Sequence, residues 1–438
     1  MSRLSLLLAV VVCLGCGSAK TPEVSSSSAK PAATEPIESP NLDAKPAADL
    51  PWPAELSEAI RQRNIAEAIS LVTREIESAP QQPAWYRLRG GLYHQSGTND
   101  LAAEDFSKAI ELSPREAALY NNRGFVLLSL QQFAGAKKDL DEAIRLNPEY
   151  AQAYNNRGLL LIAQRKYSEA VVQFNRAVEI NPQYVDAYNN RGFSRLQLRQ
   201  IETSLGDFNT VLKLRPDYVN GFNNRGLLKA WAGDYTSAIA DFTHAMTLDS
   251  KNPKYYQHRR EVYLKLGNVD QAQADQNKIE WLKRLADWNA RLARSPEDAG
   301  MYVERAKHFR KGRDDDSAAR DIAAALDKSP QFTPGLLLRG QIALEQKKYD
   351  QVVASCTEII ERDPVPEAFS LRGDALLAQR KYDAALADFA ACRRIDPAVA
   401  EAHLLKSREL QQAGQKEAAE VELAQALALD PSVEERLR

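Results

Sequence analysis

Four asparagine pairs, Asn121-Asn122, Asn155-Asn156, Asn189-Asn190 and Asn223-Asn224, recur at one constant spacing. His258 stands where a fifth pair would place its second member. A carboxamide offers donor and acceptor together, which matches the C=O and N–H of an extended peptide backbone. Asparagine is also a poor helix former, so its repetition within a helical pattern has a cost that packing alone does not explain. These nine residues form the candidate peptide-binding set.

Other chemistry is sparse. The five histidines, His94, His244, His258, His308 and His403, fall at different places in the period set by the asparagines, so no symmetry brings two together. No HExxH, phosphate-binding glycine loop or GxSxG is present, and there is no CxxC beyond Cys16. Asp314-Asp315-Asp316 lacks the spaced acids, central glycine and distal glutamate of a calcium loop and reads as a solvated turn beside a helix start. Cys356 and Cys392 sit on second helices of adjacent units, where each reads as a small apolar core residue, with a disulfide as the alternative. The expectation is a protein without catalytic residues, metal or cofactor. Lys+Arg total 57 against Asp+Glu 59, which argues against nucleic acid as partner.

The elements that carry the asparagines repeat with them. Arg-Gly occurs at Arg89, Arg123, Arg157, Arg191 and Arg225 in equal steps, and the beat resumes at Arg305, Arg339 and Arg372. Within 151–184 the pattern is Tyr154, Gly158, Leu161, Ala170, Phe174, Ala177, Pro182, and 117–150 gives Tyr120, Gly124, Leu127, Ala136, Leu140, Ala143, Pro148. Each unit therefore holds two amphipathic helices, with small residues where they approach and a proline past the second. A fixed period of roughly 34 residues marks a solenoid, and these motifs resemble the tetratricopeptide repeat (TPR) family. The resemblance implies an all-α, right-handed superhelical solenoid of antiparallel helix pairs. Eleven units follow, starting at 49, 83, 117, 151, 185, 219, 253, 299, 333, 366 and 400.

With residues counted from the start of each unit, arginine recurs at position 7 and cannot be buried unpaired so many times. Aspartate recurs at position 23, so the two are expected to pair within or between units. From Arg259 to Arg305 the beat slips by 12 residues. Trp281, Leu285, Trp288 and Leu292 continue a helical stripe through the slip, which predicts a long helix that stops before Pro296. The expected organisation is a TPR array over 49–286, an extension over 287–298 and a second array over 299–438.

At about 100° per residue, first-helix positions 2, 5, 6, 9, 12 and 13 share one face, expected to line a concave groove. Asn122, Asn156, Asn190, Asn224 and His258 occupy position 6, and Asn121, Asn155, Asn189 and Asn223 position 5. The arrangement is similar to the asparagine ladder of sugar-transferase TPR arrays, which implies a grip on peptide backbone. It lacks the Lys and Arg of carboxylate-clamp repeats. Position 6 becomes Glu304, Leu338, Leu371 and Leu405 in the second array, where the row is expected to end.

At the other end of the chain, Arg3 precedes an apolar run from Leu4 to Leu14, too short to span a bilayer core of about 30 Å. Cys13-Leu14-Gly15-Cys16 resembles a bacterial lipobox, with Cys13 where leucine is usual. That implies a signal peptide over 1–15 and a lipidated Cys16; an ordinary signal peptide is the alternative. Residues 16–48 then form a Ser-, Pro- and Ala-rich linker with the composition of a disordered tether. The function expected from the whole is a lipid-anchored scaffold of the cell envelope that faces the periplasm or exterior and binds proteins or extended peptides. The alternative is a self-assembling scaffold that pairs through its C-terminal helix, where Val421, Leu423, Leu427 and Leu429 lie close to the end of the sequence.

Overall fold

The computed structural model describes residues 52–433. The expected signal peptide over 1–15, the expected lipidation at Cys16 and the expected linker over 16–48 lie outside the described residues. Within them are 22 helices and no strand. The helices alternate first and second through eleven pairs, for example Ala151–Ala163 with Tyr167–Ile180 and Val219–Ala232 with Tyr235–Leu248. The chain divides into two compact units, up to Ile279 and from Glu280.

Packing within a pair turns on a missing side chain. Where position 24 is phenylalanine, position 8 is glycine, because the ring occupies the space beside it. A Cβ on Gly158 would lie 2.4 Å from Phe174 Cε1, and one on Gly226 2.8 Å from Phe242 Cε1. The close approach lets Phe174, Phe208, Phe242 and Phe389 become fully buried. Each buried ring contributes roughly 1.5–3 kcal/mol. Alanines at positions 20 and 27, such as Ala170 and Ala177, are 0% exposed and keep the two helices in contact along their length.

Turns between helices are closed by local bonds. Past the proline, the position-4 tyrosine of the following helix donates its hydroxyl back to that proline's carbonyl, as in Tyr120 to Pro114 (3.1 Å) and Tyr154 to Pro148 (3.2 Å). Within a pair, the turn needs one left-handed residue. Gly233 supplies it without strain at φ +90°, whereas Arg165 and Arg199 adopt φ +59° and +63°. Their exposed charges lie just past helix C-termini, where the peptide dipoles favour cations, and Arg199 also lies over the Trp231 ring at 5.5 Å. Asp314 caps the helix Asp315–Lys328, accepting from the Ser317 N–H at 3.1 Å.

The slip in the repeat is entirely helical. Val269–Arg294 has 26 residues, 12 more than the 14-residue second helix Tyr235–Leu248 (26 − 14 = 12). No described helix is long and apolar enough to cross a membrane.

The glycine geometry separates two substitutions of the same kind. Gly158→Ala should cost about 1–3 kcal/mol through the clash with Phe174. Gly206→Ala, with nothing within 4 Å of its new methyl, should be neutral or stabilise by about 0.5–1 kcal/mol. Melting temperatures of the two variants, one lowered and one not, check this.

Candidate interaction surface

The first helices are set by their arginines. Arg123 Nε and Nη2 donate to Asp139 Oδ2 and Oδ1 at 2.7 and 2.8 Å, a two-pronged pair across the helix hairpin. The same fork joins Arg89 to Asp105, Arg191 to Asp207, Arg225 to Asp241, Arg259 to Asp275, Arg305 to Asp321 and Arg372 to Asp388. The aspartates are 3–6% exposed. The pairing expected from positions 7 and 23 is therefore present, and it forms within units.

The remaining Nη1 reaches back. It donates to Ser107 from Arg123 (3.0 Å), to Asn175 from Arg191 (3.0 Å) and to Thr243 from Arg259 (2.9 Å). Each acceptor is position 25 of the preceding unit, a polar row legible in the sequence but passed over there because its members differ in type. Two position-7 arginines have no acid at position 23. Arg157 has Gln173 there and pairs instead with Asp141, position 25 of the unit before, and Arg339 has Ser355, whose hydroxyl accepts from Nη2 at 3.4 Å.

The asparagines form a second, continuous link between units. Asn156 Nδ2 donates to Asn121 Oδ1 at 2.9 Å, Asn190 to Asn155 at 3.0 Å and Asn224 to Asn189 at 2.9 Å. Within each pair the first donates to the second, from Asn121 to Asn122 at 3.3 Å through Asn223 to Asn224 at 3.2 Å. Every donor points the same way along the row. At its end Asn223 Oδ1 faces His258 Nδ1 at 2.8 Å, so that nitrogen carries the proton. All eight asparagines and His258 are only 1–8% exposed. Helical periodicity places these carboxamides on a groove-lining face where they would meet a peptide backbone; in the structure they are buried and bonded to one another. The reason is the spacing of neighbouring first helices, close enough for position 6 of one unit to reach position 5 of the previous one.

More exposed on the same helices are positions 2 and 13, together with position 9 at Phe125 and Leu159, whereas Phe193 and Leu227 at position 9 are 3% exposed. Over 117–252 the six groove positions of four units carry one charged residue, Asp186, whose Oδ1 accepts from the Tyr218 hydroxyl at 2.6 Å. The surface there is apolar and amide, with half-buried Phe125, Leu159 and Trp231. In the second compact unit the row ends: Glu304 is exposed, and position 6 is apolar core at Leu338 (4% exposed) and Leu371 (8%).

Burial sets the titration of the ladder's end. It pushes the His258 imidazole down from 6.5 to about 3, and the Lys254 charge acts in the same direction. Burial also raises Glu261, three residues on, above the usual carboxylate range. Cys356 and Cys392 are both free thiols, the former buried and pushed up to about 11 by desolvation.

Stacked antiparallel helix pairs joined by repeating inter-unit bonds define a helical-repeat scaffold. The tetratricopeptide repeat family matches residues 54–117, 122–185 and 370–434, and the stretches so matched are repeats of that kind. Among solved structures, the chain is similar to YrrB, described as a TPR protein with an unusual peptide-binding site, at 21% identity and TM-score 0.34 over 43% of this chain and 97% of that one. PilF of Pseudomonas aeruginosa is 19% identical, TM-score 0.41, over 45% and 90%. A tetratricopeptide repeat protein of Parabacteroides merdae is 21% identical, TM-score 0.43, over 51% and 89%. No curated protein matches the chain.

The His258 environment has a pH signature. A histidine whose folded pKa is depressed binds its proton first in the unfolded chain. Stability is then complete above 6.5 and is lost as pH falls toward 3, by up to about 1.4 kcal/mol per pH unit. His258→Asn, which extends the asparagine row without a titrating group, should flatten the fall of melting temperature between pH 6.5 and 4. An unchanged slope would show that His258 is not the buried neutral group described.

Proposed function

We propose that this protein is a lipid-anchored, extracytoplasmic scaffold that holds an extended segment of a protein partner along the first-helix face of residues 117–258. Tetratricopeptide repeats mediate protein–protein interaction, and the comparisons indicate no enzymatic family. The observation that carries the reading is the one-way asparagine row. Asn155 spends one N–H on Asn156 and one lone pair on Asn190, half of what a carboxamide offers. The internal bonds fix the orientation of each carboxamide, which is 1–8% exposed, so the edge of the row that a partner backbone would meet is pre-ordered and little entropy is lost on contact. The nearly uncharged walls favour a partner segment with few charges. At roughly 0.5–1.5 kcal/mol net per backbone bond, less the ordering of the peptide, the affinity is about micromolar.

The anchor reading rests on the apolar run Leu4–Leu14 and on Cys16 after Gly15. A lipid followed by a Pro- and Ser-rich spacer holds the repeats away from a membrane, with a spread of roughly 30 Å for the flexible linker. In this reading the envelope is where the partner is met.

Two measurements test it. Fatty-acid labelling of the full protein in a bacterial host should be lost in Cys16→Ala; label retained there excludes the anchor. Affinity purification from native envelopes should recover less partner with Asn122, Asn156, Asn190 and Asn224 all changed to alanine, in a variant shown to be folded by circular dichroism. Undiminished recovery would place the binding elsewhere.

A further inference from the structure

In the units 117–150 and 185–218, an aliphatic residue at position 12 and an apolar one at position 17 are covered by the next unit's first helix. Leu128 (4% exposed) and Phe133 pack with Leu160 and Ala163, and Leu196 (9%) and Ile201 pack with Leu228 and Trp231. In both cases the covering residues are positions 10 and 13, three apart on one helix face. The equivalent residues of unit 253–286 are Leu264 and Val269, and they are 46% and 65% exposed. Leu266, in the turn between them, is 44% exposed. All three are exposed large apolar side chains, and they lie within six residues of one another in the sequence.

The repeat slip accounts for the exposure. A complete unit would add both a first helix and a second; the slip adds only one stretch, and all of it extends the helix Val269–Arg294. The C-terminal part of that helix still acts as a second helix, since Asn289 accepts from Arg305 at 2.7 Å just as Asn209 does from Arg225 at 2.9 Å, in each case 16 residues apart. A first helix is what the slip omits, and a first helix is what covers positions 12 and 17 in the units 117–150 and 185–218.

We propose that Leu264, Leu266 and Val269 form a docking site for one amphipathic helix of a protein partner, which takes the place of the omitted first helix. The required occupant follows from the repeated interface: a helix of about three to four turns with an aliphatic residue and, three residues later, an aliphatic or aromatic one, like Leu228 and Trp231. This site binds a helix rather than an extended segment, and it stands independently of the asparagine row.

The probe is a fluorescent synthetic peptide of residues 219–232, the helix that covers Leu196 and Ile201, titrated into the full protein by anisotropy. Saturable binding is expected, weakened tenfold or more in Leu264→Asp and Val269→Asp and unchanged in Gly206→Ala, whose new methyl meets nothing within 4 Å. Leu264→Gln and Val269→Gln, which add no charge, should weaken it in the same order, and circular dichroism confirms that each variant is folded. Absence of saturable binding, or binding equal in all variants, overturns the proposal. Light scattering covers the other occupant: a dimer that the same variants dissolve would assign the face to a second copy of this chain and likewise overturn it.

Discussion

The fork between arginine at position 7 and aspartate at position 23 is the contact from which the rest of the array follows. It ties the two helices of a unit together, and its third nitrogen reaches a polar side chain in the unit before. One guanidinium thus sets both the hairpin and the stacking. A planar group with five donors in fixed geometry can do this, whereas a lysine has a point charge with no fork. The aspartates are almost fully buried, so each arginine also satisfies an anion that would otherwise be costly inside the protein. Where Gln173 replaces the acid, Arg157 turns to Asp141, and the link between units survives while the link within the hairpin is given up; where Ser355 replaces it, Arg339 keeps a bond to the serine hydroxyl within the hairpin.

Once neighbouring first helices are held at that spacing, the asparagines have little freedom to do anything but meet. Their row is a buried polar network in which every internal step has a donor and an acceptor, and such networks stiffen what they join. The consistent direction of the bonds has a consequence at the end of the row, where it dictates the tautomer of His258. An interior link of this kind also explains why a poor helix former is kept mid-helix in four successive units. Binding a peptide and stiffening the array are compatible roles for it, because a carboxamide such as that of Asn155 is only half used by its neighbours in the row.

The long helix Val269–Arg294 has a different character. It supplies Asp275 to Arg259 in one compact unit and Asn289 to Arg305 in the other, so the bonding scheme of the repeats continues on both sides of an irregularity in their count. What does not continue is the covering of the apolar residues just before it. A solenoid buries its hydrophobic surface by stacking neighbours, and omitting one helix leaves the preceding layer open.

The period of the repeat, the helix pairs, the small residues where paired helices approach and the arginine–aspartate pairing were all legible in the sequence, because each depends on residues a fixed distance apart along one hairpin. Local geometry converts such spacing directly into contact. The reach of arginine to position 25 of the preceding unit was legible in principle, since Ser107, Asn175 and Thr243 all precede their arginine by 16 residues, but nothing in their chemistry alone names the partner. The state of the asparagines was beyond sequence reasoning. Helical periodicity put them on one face, yet whether that face is open or closed depends on the distance between first helices of successive units, which only stacking decides. The exposure of Leu264 and Val269 is of the same kind: as residue types they match Leu128 and Phe133 or Leu196 and Ile201, and only the tertiary structure, through the helix that does not follow them, leaves them in water.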